Sequence, residues 1–312
     1  MSATGHRMAS DLHFQGPETL TERQQREQAY FDKYVDSQSI YTNFEPVEGL
    51  QFRPWNPYWY VAEVLGKFYV SPSQRVLDFG CGYGNYSMLW ARLGYEVFGF
   101  DVSERNISSA RRLAEHYGFG GRTHFEVGVA ENLSYPSESF DVVAGIDILH
   151  HVDIPASIRE CFRILKPGGI AVFKEPIEVP IFDRLRNTRW AKRLCSNEKS
   201  FERGITEDER KLSKRDVDQI ASVFPDREIR TFRLFSRLDA FSRALRVRGG
   251  ETHLHFIVFR ALAQFDQTCF KYLSFLKPLG GEIVLTLVKP AGASPVQSRQ
   301  ADNRLRASTL AG

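Results

Sequence analysis

Strands alternating with helical periods from Arg75 onward, a glycine-alternating loop after the first strand and an acid closing the second predict an α/β protein. The pattern implies a doubly wound, seven-stranded, mostly parallel sheet covered by helices on both faces. Arg75–Phe79 reads as a buried strand that runs into glycine-rich residues and a helix from about Tyr86 to Leu93. Glu96–Phe100 is the second strand, followed by a helix over Ser103–Tyr117 with Ser103 as N-cap. His124–Val127 and Phe140–Ile146 are the third and fourth strands, and Pro155–Leu165 is a helix opened by its proline. Lys166-Pro167-Gly168-Gly169 reads as a stop and turn before a fifth strand, Ile170–Lys174. Beyond it the rhythm breaks into an insertion and then resumes with a helix, Lys214–Phe224, and a strand, Glu228–Leu234. A second, helical insertion over Ser236–Phe275 precedes the closing strand, Glu282–Val288.

This places the main domain at 71–289, with insertions at about 176–212 and 236–279. Ahead of it, 18–70 is expected to form a helical and aromatic cap. A polar helix starts at Thr19 or Thr21, and a proline-punctuated aromatic stretch, Phe44 to Tyr60, acts as a lid or collar. Residues 1–17 and the Ala/Ser/Pro/Gln-rich 290–312 are expected to be disordered.

Hydrophobic residues make up 42% of the chain, enough for a sizeable core, and the net charge of +3 gives no general reason to expect nucleic acid. Cys81, Cys161, Cys195 and Cys269 are scattered without metal-ligand spacing, so neither a zinc site nor a disulfide frame is expected, and no metal is assigned. With no charge-free apolar run long enough to span a bilayer and a polar N-terminus, the expected setting is cytoplasmic.

The strongest chemical signal is Val76-Leu77-Asp78-Phe79-Gly80-Cys81-Gly82-Tyr83-Gly84. Glycines here let the backbone turn tightly and approach a ligand, and the helix behind them offers unpaired N–H groups. A dinucleotide loop would need its third glycine where Asn85 stands, and no Lys-Ser or Lys-Thr pair closes a phosphate-cradling loop. Asp101, 23 residues after Asp78, ends the second strand, where a carboxylate can take both hydroxyls of a ribose.

Four segments in order, VLDFGCGYG (76–84), GFDVSE (99–104), AENLSYPSESFDVV (130–143) with ILHHV (148–152), and RILKPGGIAVFKE (163–175), resemble the class I S-adenosylmethionine-dependent methyltransferases that act on small molecules and lipids. The resemblance covers about a third of the chain and implies S-adenosyl-L-methionine as cofactor. It also implies that Asp78 and the Gly80–Gly84 backbone, including Cys81, Gly82 and Gly84, hold the donor's amino acid part. Asp101 would then take the ribose, Val102 would pack near the adenine, and Ala130 and Glu131 would line the adenine pocket. Members often read Gly-Asp-Ala where this chain has Gly128-Val129-Ala130, so Glu131 or a backbone carbonyl must meet the adenine amino group.

His150 and His151 follow strand four, where the crevice at the strand ends should lie, and either could act as general base for a hydroxyl. The alternative is that one ring packs and the other holds a loop. Asp147 is a further candidate as base or donor-binding group, and Asp153 is expected to cap the next helix. Asn56-Pro57-Tyr58-Trp59 resembles an amino-methyltransferase signature, but it lacks the second proline and precedes the glycine loop, so nucleobase methylation is rejected. The expected acceptor is small and apolar (a lipid, lipid-linked sugar, polyketide or phenol), with oxygen as the preferred target. A non-catalytic binding scaffold, or an enzyme acting on protein or RNA, is the alternative. The basic segment 181–194 and the apolar 253–276 are candidates for peripheral membrane contact, acceptor cover or a homodimer interface, or for ordinary packed helices.

Overall fold

The computed structural model describes residues 20–36, 55–186, 210–238 and 253–292. Expectations for 1–17, for most of the 44–60 aromatic stretch, for 187–194 and for the tail beyond 292 lie outside the described residues.

Seven strands form one sheet in the order β3-β2-β1-β4-β5-β7-β6. They are β1 (Arg75–Phe79), β2 (Glu96–Asp101), β3 (Thr123–Val127), β4 (Phe140–Ile146), β5 (Leu165–Pro176), β6 (Asp226–Phe232) and β7 (Glu282–Val288). β1 to β5 pair in parallel, and β7 runs antiparallel between β5 and β6. The helices are α1 (Glu22–Asp36), α2 (Pro57–Phe68), α3 (Asn85–Leu93), α4 (Glu104–His116), α5 (Ile154–Ile164), α6 (Pro180–Arg186), α7 (Lys214–Val223) and α8 (His253–Tyr272).

The chain reverses its winding direction between β1 and β4, and at such a switch point the loops diverge and leave a crevice beyond the strand ends. The strand interiors are apolar on both faces, as a sheet covered twice requires. One face packs Leu77, Phe79, Val143 and Phe173 against Ile158, Cys161 and Ile164 of α5 and Ile220 of α7. The other packs Val76, Val142 and Val172 against Val61 and Leu65 of α2 and Trp90 of α3. Each fully buried aliphatic or aromatic side chain in these layers contributes about 1.5–3 kcal/mol.

Two stretches differ from the sequence expectation. Lys166–Gly169 is part of β5 rather than a stop, and the pairing register with β4 shifts between Phe140 and Val142 to absorb it. The described end of the aromatic stretch is also more than a collar. Asn56 caps α2 by accepting from the Tyr58 backbone N–H (3.0 Å), Pro57 fits the first turn, and Tyr60, Val61 and Leu65 enter the core. The Asn-Pro pair is therefore a helix start. At the other end of the sheet, α8 is tied down by Asp266, whose buried carboxylate accepts from the backbone N–H groups of Leu234, Phe235 and Ser236.

Candidate active site

The crevice holds a cavity of about 280 Å³, lined by the β1–α3 loop, the end of β2, the turn after β3, the loop after β4 and one side of α1. Of the residues singled out from the sequence, Gly80, Cys81, Gly82, Asp101, Val102, Ala130, Glu131, Asp147 and His151 line it. Asp78, Gly84 and His150 are not part of that lining.

The glycine loop owes its shape to left-handed backbone at Gly80, Gly82 and Gly84 (φ +73°, +52° and +93°). At Gly80 a Cβ would lie 2.5 Å from the Ile148 side chain, whereas at Gly82 it would meet nothing within 4 Å. Gly82 therefore leaves the cavity side of the loop open while holding a conformation that L side chains resist. Beneath the loop, buried Asp78 accepts from Ser87 Oγ (2.5 Å). Burial pushes its carboxyl up to about 7, against the pull of that hydrogen bond. Burial likewise pushes the thiol of Cys81, which lines the cavity, well up.

Asp101 organises the cavity wall at the end of β2. Its Oδ2 accepts from Gly82 N–H (3.0 Å), and its Oδ1 accepts from Ser103 N–H (2.9 Å) and Asn106 Nδ2 (3.0 Å). Burial raises its pKa, and these donors oppose the rise. Ser103 caps α4 by accepting from Asn106 N–H, so one short segment fixes both the helix and the acid.

Asp147 sits at positive φ (54°) and receives the Lys174 ammonium at 2.8 and 3.1 Å and the Tyr58 hydroxyl at 3.1 Å. Lys174 is 2% exposed, with Glu282 3.7 Å away on the neighbouring strand. Burial alone would depress this ammonium, but the Glu282 and Asp147 carboxylates outweigh it and hold its pKa above the ordinary lysine range. Burial also pushes the Tyr58 phenol up to about 12.

The two histidines face different surroundings. His150 is buried with Nδ1 2.6 Å from Glu175 Oε2, while Glu175 Oε1 accepts from the Ile148 and Leu149 N–H groups. Its ring borders a separate polar cavity of about 420 Å³, shared with Asp153 and Ser213. His151 lines the main cavity, its ring tilted 41° against that of His150 at 4.1 Å and met edge-on by Phe31 of α1. Asp147, His150 and Glu175 bring possible ligand atoms within 4.8 Å of one another. Lys174 already neutralises Asp147, and backbone N–H groups occupy Glu175, so the trio reads as a charge-compensated network.

Sequence reasoning missed Lys174, Glu175, Tyr58 and the inner face of α1. A Lys-Glu pair ending an otherwise apolar strand was the available signal for the first two. α1 meets the residues assigned to the donor: Arg23 and Gln24 reach Glu131 (2.7 and 3.1 Å), Gln28 donates to the Val102 carbonyl (3.0 Å), and Ser103 Oγ lies 2.5 Å from Asp32.

A methyltransferase domain family matches residues 77–173. A ubiquinone biosynthesis O-methyltransferase from Sinorhizobium fredii is 37% identical over 115 residues, which is 35% of this chain and 46% of that protein. The chain thus spans less than half the length of this curated relative. Among solved structures, a geranyl diphosphate C-methyltransferase from Streptomyces coelicolor superposes with TM-score 0.53 at 14% identity, covering 86% of this chain and 98% of that one. A [4+2]-cyclase superposes with TM-score 0.52 at 19% identity, covering 88% and 98%. Residues 77–173 are thus similar to a methyltransferase domain family, and they lie within a seven-stranded α/β sheet of the fold shared with these solved structures.

Proposed function

We propose that the protein transfers a methyl group from S-adenosyl-L-methionine to a hydroxyl oxygen of a small, hydrophobic acceptor. The observation that carries this reading is one cavity shared by the glycine loop and Asp101 on one side and His151 with Ile148 and Val152 on the other. The residues fit the donor. Gly82 leaves room at the loop, and Asn106, which lines the cavity, keeps its buried Oδ1 without a partner among the described residues. Asp101 has three of its roughly four acceptor sites filled, so in this closed arrangement it has room for one ribose hydroxyl rather than two. Glu131 is committed to Arg23, Gln24 and the Asp153 N–H, which leaves backbone carbonyls of the Gly128–Ala130 turn for the adenine amino group.

When bound, the donor supplies an electrophilic methyl on sulfonium. The chain's own task is to align the acceptor oxygen, exclude water and hold the proton that oxygen loses. The O-methyltransferase relatives support oxygen as the target, and the apolar wall supports a hydrophobic acceptor. Because a cyclase shares the fold, transfer itself must be measured. Purified protein given methyl-labelled donor and an alkylcatechol is expected to form labelled ether, with inhibition by S-adenosylhomocysteine. A folded protein that fails to bind S-adenosylhomocysteine would sink the reading.

No helix among the described residues is long and apolar enough to cross a membrane. α8 and the turn after it nonetheless expose Ile257, Val258, Phe265, Tyr272 and Phe275. This supports peripheral contact through 253–276. The protein is expected to float with phosphatidylglycerol-containing vesicles, and Phe265→Asp/Phe275→Asp to remain in solution. If both stay behind, the membrane reading fails.

A further inference from the structure

The base side of the cavity is completed from outside the sheet domain. Glu27, in the middle of α1, is 4% exposed, and its Oε2 lies 3.2 Å from His151 Nδ1, at ion-pair distance but outside hydrogen-bond geometry, with both atoms removed from solvent. Phe31, one turn further along the same helix face, packs edge-on against the same imidazole at 5.6 Å. One helix therefore presents a carboxylate and an aromatic edge to one ring in the cavity. The other groups near that ring are otherwise engaged: His150 with Glu175, Asp147 with Lys174, and Glu131 with Arg23.

From this geometry we infer that Glu27 is a positioning residue for methyl transfer, orienting His151 and compensating the charge it gains as proton acceptor. The inference rests on the functional reading above. A carboxylate at ion-pair distance from Nδ1 favours the charged ring and, on closing to a hydrogen bond, would hold the proton on Nδ1 and leave Nε2 as the basic nitrogen. As the new O–C bond forms and the C–S bond breaks, with its electron pair staying on sulfur, the acceptor's hydroxyl proton passes to His151. The resulting imidazolium is held against the Glu27 carboxylate. His150 belongs to a different pair, Glu175–His150, rooted wholly within the sheet domain.

The same helix closes the donor side through Arg23, Gln24, Gln28 and Asp32. The base is thus complete only when α1 lies over the donor.

The test compares unaltered protein, Glu27→Gln, His151→Asn and the double variant with two probes. One is an alkylcatechol, protonated in mildly alkaline buffer. The other is nitrocatechol, largely ionised there and so without need of a base. Affinity for S-adenosylhomocysteine is measured alongside. Glu27→Gln is expected to lower kcat for alkylcatechol by about 100-fold, to leave nitrocatechol turnover and S-adenosylhomocysteine affinity within about twofold, and to add no further loss to His151→Asn. Equal losses on both probes, or additive losses in the double variant, would overturn the assignment, as would an unchanged kcat. Absence of transfer to either probe by the unaltered protein would instead overturn the functional reading and this inference with it.

Discussion

Asp101→Ala is expected to weaken binding of S-adenosylhomocysteine by at least ~100-fold, about 2.7 kcal/mol, in a calorimetric titration. The expected loss is this large because Asp101 does two jobs with one carboxylate. In the proposed site it offers an acceptor to the ligand, and it pins the Gly82 and Ser103 N–H groups beside the crevice. Removing it leaves those donors unpaired in a buried setting, at about 1–3 kcal/mol each. Asp101→Asn separates the roles, since the amide retains one oxygen for the backbone but turns the other arm into a donor. It should lie between the parent and the alanine variant. Undiminished affinity in Asp101→Ala would remove the acid from the donor site.

The second large effect is expected at Lys174. Its ammonium is buried among Asp147, Glu282 and the Tyr58 hydroxyl. Lys174→Met fits the apolar stem but strands two carboxylates in a region built around a cation. Breaking a buried pair from one side costs about 3–5 kcal/mol. Asp147 opens partly to the cavity and Glu282 keeps Arg233 at 3.2 Å, so the lower end applies, about 3 kcal/mol. That corresponds to a fall in Tm of about 6–12 °C for a domain of this size. The triple variant Lys174→Met/Asp147→Asn/Glu282→Gln should recover much of the loss, because charge rather than volume is at stake. A melting curve for Lys174→Met that matches the parent would show the cluster to be energetically neutral.

The contrast between what the sequence revealed and what it hid follows from range. β4 and β7 are mostly apolar runs, broken only by Asp141 and Thr286 inside them, so their residues are legible in place, and the glycine loop is legible because alternating glycines report a backbone requirement directly. Ser103 and Asp153 announce helices through caps that act over three residues. α2 is hidden because its proline and aromatics resemble a loop until Asn56 is seen as a cap. The β5 extension through Lys166–Gly169 is hidden because Leu165 pairs with Phe140 of β4 and Gly168 and Gly169 bond the Lys289 backbone just past β7, long-range contacts that override two glycines and a proline. The partners of the site are the least legible. Glu175 lies 25 residues from His150 and Glu27 lies 124 residues from His151, and no local rule joins carboxylate to ring across such gaps.

Lys174 and Glu175 are neighbours in sequence but opposites in space. The pleat of β5 sends the lysine toward α2 and Asp147 and the glutamate toward His150. Sliding β5 by a single residue against β7 would swap them, setting an ammonium on the histidine side and a carboxylate beside Asp147 and Glu282. Two adjacent charges of opposite sign thereby act as a key with only one way into its lock, rejecting the misaligned strand at the boundary where the sheet changes from parallel to antiparallel.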